Sequence, residues 1–84
     1  MKYVVYILQS LKTNRYYVGF TSDVFARLVR HNQGRNNATR RDRPWKVIYR
    51  EIFTNRNDAY QRERQIKSYK GGKAFKKLIN RGVA

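Results

Sequence analysis

Acidic residues are scarce in this 84-residue chain, five against twenty Lys and Arg, so each can be asked for its reason. Asp23 and Asp58 stand at expected helix starts, where the positive end of the helix dipole accounts for them. Asp42 lies among arginines, and Glu51 falls late in an expected strand. Glu63 is different. Ala59, Glu63 and Ile66 recur at i, i+4 and i+7, which puts the carboxylate on the apolar side of a helix. A carboxylate turned inward needs a cation or hydrogen bonds. It is therefore either half of an ion pair with one of the many basic residues or a ligand for a divalent cation. Two-metal phosphoryl-transfer sites draw on several converging carboxylates, which this chain can barely supply. Phosphoryl chemistry here would use one metal and one protein carboxylate. His31 is the only histidine, which excludes a multi-histidine metal site. Arg27 precedes it by four, so both project from one helix face. Read alone, that pair is two solvated side chains of a basic protein.

The elements that must position these residues follow from periodicity and turn signals. "KYVVYILQS" reads as a strand that is apolar on both faces and so central in its sheet. "LKTN" is a turn and "RYYVGFT" an antiparallel partner, in which Gly19 marks a bend or a close backbone approach. Thr21 or Ser22 caps a helix running to about Asn32, with Asp23 favouring the dipole and Val24, Phe25, Leu28 and Val29 as its apolar stripe. The stretch "QGRNNATRRDRP" has no periodicity and four arginines, so it reads as an exposed basic loop. "WKVIYREIF" is a third strand. A second helix covers residues 54–70 up to Gly71-Gly72, and "KAFKKLIN" is a short third helix. The expected fold is α+β, a small three-stranded antiparallel sheet flanked by helices in the order ββαβαα, as a single domain over residues 1–84.

A formal net charge of +15 attracts polyanions, making nucleic acid the leading partner class. Arg35, Arg40, Arg41 and Arg43 of the loop, with Lys46, Lys67, Lys70 and Lys73 beyond it, are the candidate phosphate-tracking surface. For each residue alone the alternative is solubility, but the excess is far beyond what solubility needs. A membrane surface would want a clean apolar helix face or a long apolar run, and the chain shows neither. With no cysteine there is no disulfide framework and no thiolate metal site. The first residues are too quickly polar for a signal peptide, so the expectation is a soluble cytoplasmic protein, taken as a monomer. Tyr16, Phe20, Trp45 and Tyr60 read as core or rim packing before they read as stacking platforms, although one exposed aromatic can stack on an unpaired base.

Taken in order, the motifs resemble the GIY-YIG endonuclease domain. They are "VVY" (Val4, Val5, Tyr6), "YVG" (Tyr17, Val18, Gly19) followed by Thr21, Arg27-x-x-x-His31-Asn32 in "RLVRHN", and "RERQIK" carrying Glu63 and Lys67. Val4 and Val5 depart from the Gly and Ile of the first signature, while its Tyr is kept. The resemblance covers nearly the whole chain and is greatest to small bacterial members that consist of this domain alone. It implies a metal-dependent DNA endonuclease, with RNA left open as a substrate. With no targeting domain, selection by structure or single-strandedness is expected rather than by sequence. The rival is a nucleic-acid-binding module of the same fold without hydrolysis. The resemblance further implies that Tyr6 takes a proton from the attacking water, helped toward phenolate by cations such as Arg27. His31 would relay or orient that proton, Tyr17 position the reactants, Arg27 hold the phosphate oxygens and Glu63 bind one Mg²⁺ or Mn²⁺. Asn80 corresponds loosely to a late supporting asparagine. These five residues, Tyr6, Tyr17, Arg27, His31 and Glu63, should then gather on one concave face.

Overall fold

The computed structural model describes residues 2–82. Three antiparallel strands and three helices follow in the order β1 (Tyr3–Ser10), β2 (Tyr16–Thr21), α1 (Val24–Asn32), β3 (Trp45–Phe53), α2 (Arg56–Ser68) and α3 (Lys73–Gly82), with a 3₁₀ turn at Arg40–Asp42. The sheet order is β2-β1-β3. The strand that is apolar on both faces is the central one, as its pattern requires.

Alternation along β1 divides the interior into two layers. Val5 and Ile7 point to one face, where they pack with Val18, with Ala59 and Ile66 of α2 and with Phe75 of α3. Tyr6 and Leu8 point to the other, where they meet Trp45, Tyr17 and Val47 and the α1 residues Val24 and Leu28. Helix α1 thus covers one face, and α2 with α3 the other.

Several local readings are corrected by the structure. The N-cap of α1 is Asp23 itself, whose carboxylate accepts from the Ala26 N–H at 3.0 Å. Thr21 instead accepts from the Asp23 N–H at 3.2 Å, because the helix starts one residue later than the pattern suggested. The apolar stripe of α1 is narrower than expected. Val24 and Leu28 are inside, whereas Phe25 is 76% and Val29 43% exposed, each lying about 100° further round the helix. The stretch 33–44 is not simply an exposed loop, for Thr39 within it is buried. Helix α2 is capped by Asn55, whose side chain accepts from Asn57 and Asp58, and the chain turns out of it through Lys70 and Gly71 at positive φ. Among the described residues no helix is long and apolar enough to cross a membrane.

Candidate active site

Tyr6 projects from the centre of β1 onto the α1 face and is 1% exposed. Directly across the ladder stands Gly19 of β2. A Cβ at Gly19 would sit 2.7 Å from the Tyr6 hydroxyl and 3.2 Å from the Tyr17 ring, so the close approach read in the sequence is that of the Tyr6 phenol over bare backbone. Tyr17 lies on the same face, two residues before Gly19. Its ring centroid is 6.4 Å from that of Tyr6 and 4.9 Å from that of His31.

His31, on the last turn of α1, is fully buried. Its Nε2 lies 3.2 Å from the Tyr6 hydroxyl and its Nδ1 2.7 Å from Thr39 Oγ1. The Thr39 hydroxyl donates to the Asn36 carbonyl at 3.5 Å. In the tautomer with its proton on Nδ1, His31 donates to Thr39 Oγ1 and its Nε2 accepts from the Tyr6 O–H. Trp45 closes the cluster, its Nε1–H donating to the Thr39 carbonyl at 2.9 Å. Asn32 ties α1 to β3 by accepting from the Trp45 N–H at 2.6 Å and donating to its carbonyl at 3.2 Å. Thr39 had no signal in the sequence, since its role depends on a loop folding back over α1.

The electrostatics reverse one expectation. Burial pushes the Tyr6 phenol above its ordinary value of 10.0; Tyr17 adds to this, Arg27 opposes it and Glu63 adds again. The cations around Tyr6 therefore do not win, and a standing phenolate is disfavoured, because desolvation of the charged form outweighs one guanidinium. Burial also lowers His31 below 6.5, with Arg27 and then Arg30 pushing the same way, so the imidazole is neutral at pH 7. Arg27 is partly exposed, and its guanidinium has no hydrogen bond or ion pair among the described residues. It remains available to an incoming anion.

The expectation that all five residues gather on one concave face is corrected by the structure: Tyr6, Tyr17, Arg27 and His31 share the α1 face, and Glu63 does not. It belongs to α2, on the other face of the sheet, and acts on Tyr6 through its field rather than by contact. This is possible because β2 is an edge strand and the Tyr6 phenol lies over it. The Glu63 side chain is only 12% exposed and pairs with the half-exposed Lys67 at 3.4 Å. It borders a hollow of about 430 Å³ shared with Tyr60, Arg64 and Lys67. The ion pair weighed for Glu63 is thus present, and Glu51 forms a second one. Its carboxylate takes the Arg62 Nε and Nη2 at 2.9–3.1 Å and also accepts from the Tyr49 hydroxyl, fastening α2 to β3. No group of three or more acidic, histidine or cysteine residues able to hold a metal exists among the described residues. Glu63 is the one carboxylate lining the hollow, and a divalent cation held there would have to displace Lys67 from it.

Of the basic residues, Arg35, Arg40, Arg41, Arg43, Lys46, Lys67 and Lys70 are all exposed. The sequence reading missed Arg15, which reaches Asp42 of the loop at 3.8 Å and also lines a groove with Lys67 and Lys70, joining the two basic patches. Asn80 is exposed on α3, the helix that packs on the face opposite Tyr6, and the structure does not bring it to the ring cluster.

The structure thus brings together two tyrosines on paired strands with an Arg and a His of the next helix, while the one carboxylate lies on the helix across the sheet. The chain belongs to the GIY-YIG family: the family's catalytic domain matches residues 2–77. It is 35% identical to a UPF0213 protein of Staphylococcus haemolyticus, over 95% of this chain and 98% of that one. It is 33% identical to a UPF0213 protein of Staphylococcus saprophyticus over 96% and 98%. The solution NMR structure of the UPF0213 protein BH0048 from Bacillus halodurans superposes with a TM-score of 0.61 at 27% identity, covering 95% of this chain and 84% of that one.

Proposed function

We propose that this protein is a divalent-metal-assisted DNA endonuclease that cuts a phosphodiester bond to leave a 5′-phosphate and a 3′-hydroxyl. The observation that carries the reading is the Tyr6 hydroxyl 3.2 Å from Nε2 of a buried His31 whose other nitrogen is held by Thr39. A buried phenol above its ordinary pKa is a poor standing base. It can still work in a concerted transfer. As the attacking water gives its proton to the Tyr6 oxygen, Tyr6 gives its own to His31 Nε2, and no free phenolate is formed. The tautomer with its proton on Nδ1, donating to Thr39, makes this direction possible. Tyr17 walls the site beside His31 and orients the water or the phosphate. Arg27, without a competing partner, receives the non-bridging oxygens as charge builds on them.

Glu63 would hold one Mg²⁺ or Mn²⁺, which supplies charge neutralisation at the leaving 3′ oxygen. Family membership supports nuclease chemistry, and the basic surface supports a nucleic-acid substrate. The test is cleavage of single-stranded, duplex, flap and junction DNA with Mg²⁺, Mn²⁺ or EDTA, by the wild type, Tyr6→Phe and His31→Ala. Metal-dependent cutting lost by about 10²–10⁴-fold in both variants, with DNA affinity kept, is the expected result. Tight binding with no cutting of any substrate would make the protein a binding module.

A further inference from the structure

At the free edge of β2, the corner between α2 and α3 opens a groove of about 550 Å³ lined by Arg15, Tyr16, Tyr17, Lys67, Lys70 and Phe75. It adjoins the candidate active site twice. Tyr17 lines the groove and packs on His31, and Lys67 lines it and pairs with Glu63. Inside it Tyr16 is 44% exposed, held edge-to-face by Phe75 at 4.9 Å. Gly71 lines the groove too, and a Cβ there would meet nothing within 4 Å, so the space beside it is open.

Phe25 is the more exposed aromatic, at 76%, but it stands on α1 and does not line the groove; Trp45, Phe20 and Tyr60 are already occupied. Trp45 is buried. Phe20 lies under Arg56 and Tyr60. Tyr60 has Arg64 over its ring and on its hydroxyl. Tyr16 is left as an exposed π surface among three cations, and Lys70 has no carboxylate partner among the described residues. An apolar peptide would gain nothing from those cations, whereas a nucleotide offers a flat base and a phosphate together.

We propose that this groove takes one unpaired nucleotide next to the scissile phosphate, its base against Tyr16 and its phosphates among Arg15, Lys67 and Lys70, so that the protein selects single-stranded over continuous duplex nucleic acid. The inference rests on reading the neighbouring site as a nuclease and names the substrate class of that site. A base paired within a duplex cannot enter, because stacking on Tyr16 needs a free face.

The test is binding in EDTA, where no cleavage intervenes, so its outcome is separate from that of the cleavage assay. The probes are a 12-nucleotide single strand carrying 2-aminopurine and the matching duplex. Tyr16→Leu retains apolar contact with Phe75 but lacks the π face, and Tyr16→Phe retains both. The expected result is a wild-type preference for the single strand and quenching of 2-aminopurine. Tyr16→Leu loses about 5- to 150-fold in single-strand affinity, with duplex affinity unchanged and Tyr16→Phe near wild type. Folding is checked for each variant by near-UV circular dichroism. A folded Tyr16→Leu that binds the single strand as well as wild type overturns the proposal. So does a groove that ignores the oligonucleotide and instead mediates self-association seen by sedimentation.

Discussion

Substituting Gly19→Ala tests whether the proposed proton path depends on where the Tyr6 phenol lies. The added Cβ would stand 2.7 Å from the hydroxyl oxygen and 2.9 Å from Cζ, so the ring must move by roughly 0.7 Å to reach ordinary van der Waals contact. The ring is buried and its hydroxyl is held by His31 at 3.2 Å. A displacement of that size changes the Tyr6–His31 separation by up to the same amount, enough to break or crowd a contact at 3.2 Å. Overpacking of a core costs about 1–3 kcal/mol, partly offset by the 0.5–1 kcal/mol or so that Ala gains over Gly in a strand. A net loss of about 1–2 kcal/mol corresponds to a melting temperature lower by about 5–15 °C in a domain of this size. Cleavage should fall by about 10–100-fold, since misplacement on the scale of an ångström can cost 10²-fold, with DNA affinity unchanged because no phosphate contact is touched. Tyr6→Phe removes the nearest atom. In a double-mutant cycle Gly19→Ala should therefore destabilise the Phe background less than the wild type. A folded Gly19→Ala protein that cuts at the wild-type rate would refute the role given to the Tyr6–His31 contact.

Glu63→Gln should abolish metal-dependent cleavage while shifting stability by less than about 0.5 kcal/mol, because its partner Lys67 is half exposed and one turn away. Glu51→Gln should instead lower stability by about 1.5–3 kcal/mol through the loss of charge-assisted bonds to Arg62; thermal melts of the two variants, compared side by side, check the contrast. Replacing Arg40 and Arg41 together with Ala should weaken binding to all DNA sequences alike and reduce the slope of log affinity against log salt by up to about two, as fluorescence anisotropy across a salt series would show. Arg30 lowers the His31 pKa, so Arg30→Gln should move the acid limb of the cleavage profile up toward pH 6.5, and a downward move would contradict the assignment. Because the folded His31 binds its proton less readily than the unfolded one, its contribution to stability is present above pH 6.5 and is lost as pH falls below it; urea melts from pH 7.5 to 5 read this out.

The sequence revealed most where a residue's neighbours are close in the chain or fixed by alternation. The central place of β1 follows from its two apolar faces, and the Arg27–His31 pairing from one helical turn. Gly19 signalled close approach, though only the ladder shows that Tyr6 is what approaches. Reasoning from the chain failed where long-range packing decides. The inward carboxylate expected on α2 is there, Glu63 paired with Lys67, but nothing in the chain pointed to the pair that fastens that helix, Glu51 on β3 with Arg62 eleven residues later. The cations around Tyr6 were countable in advance. The burial that outweighs them was not, because it depends on α1 and the 33–44 segment closing over the ring. Thr39, in an aperiodic polar stretch, carried no period at all.

His31, Asn32, Thr39 and Trp45 hold one another through bonds confined to residues 31–45. That segment is a candidate for a cooperative unit with its own opening equilibrium, distinct from the unfolding of the sheet. If it opens first on warming, His31 leaves Tyr6 while β1 and β2 are still paired. Activity would then disappear at a lower temperature than the global melt. Amide hydrogen exchange at Trp45, whose N–H is held by the Asn32 side chain, would report that opening, and its free energy would match the temperature at which cleavage is lost rather than the temperature at which the fold is.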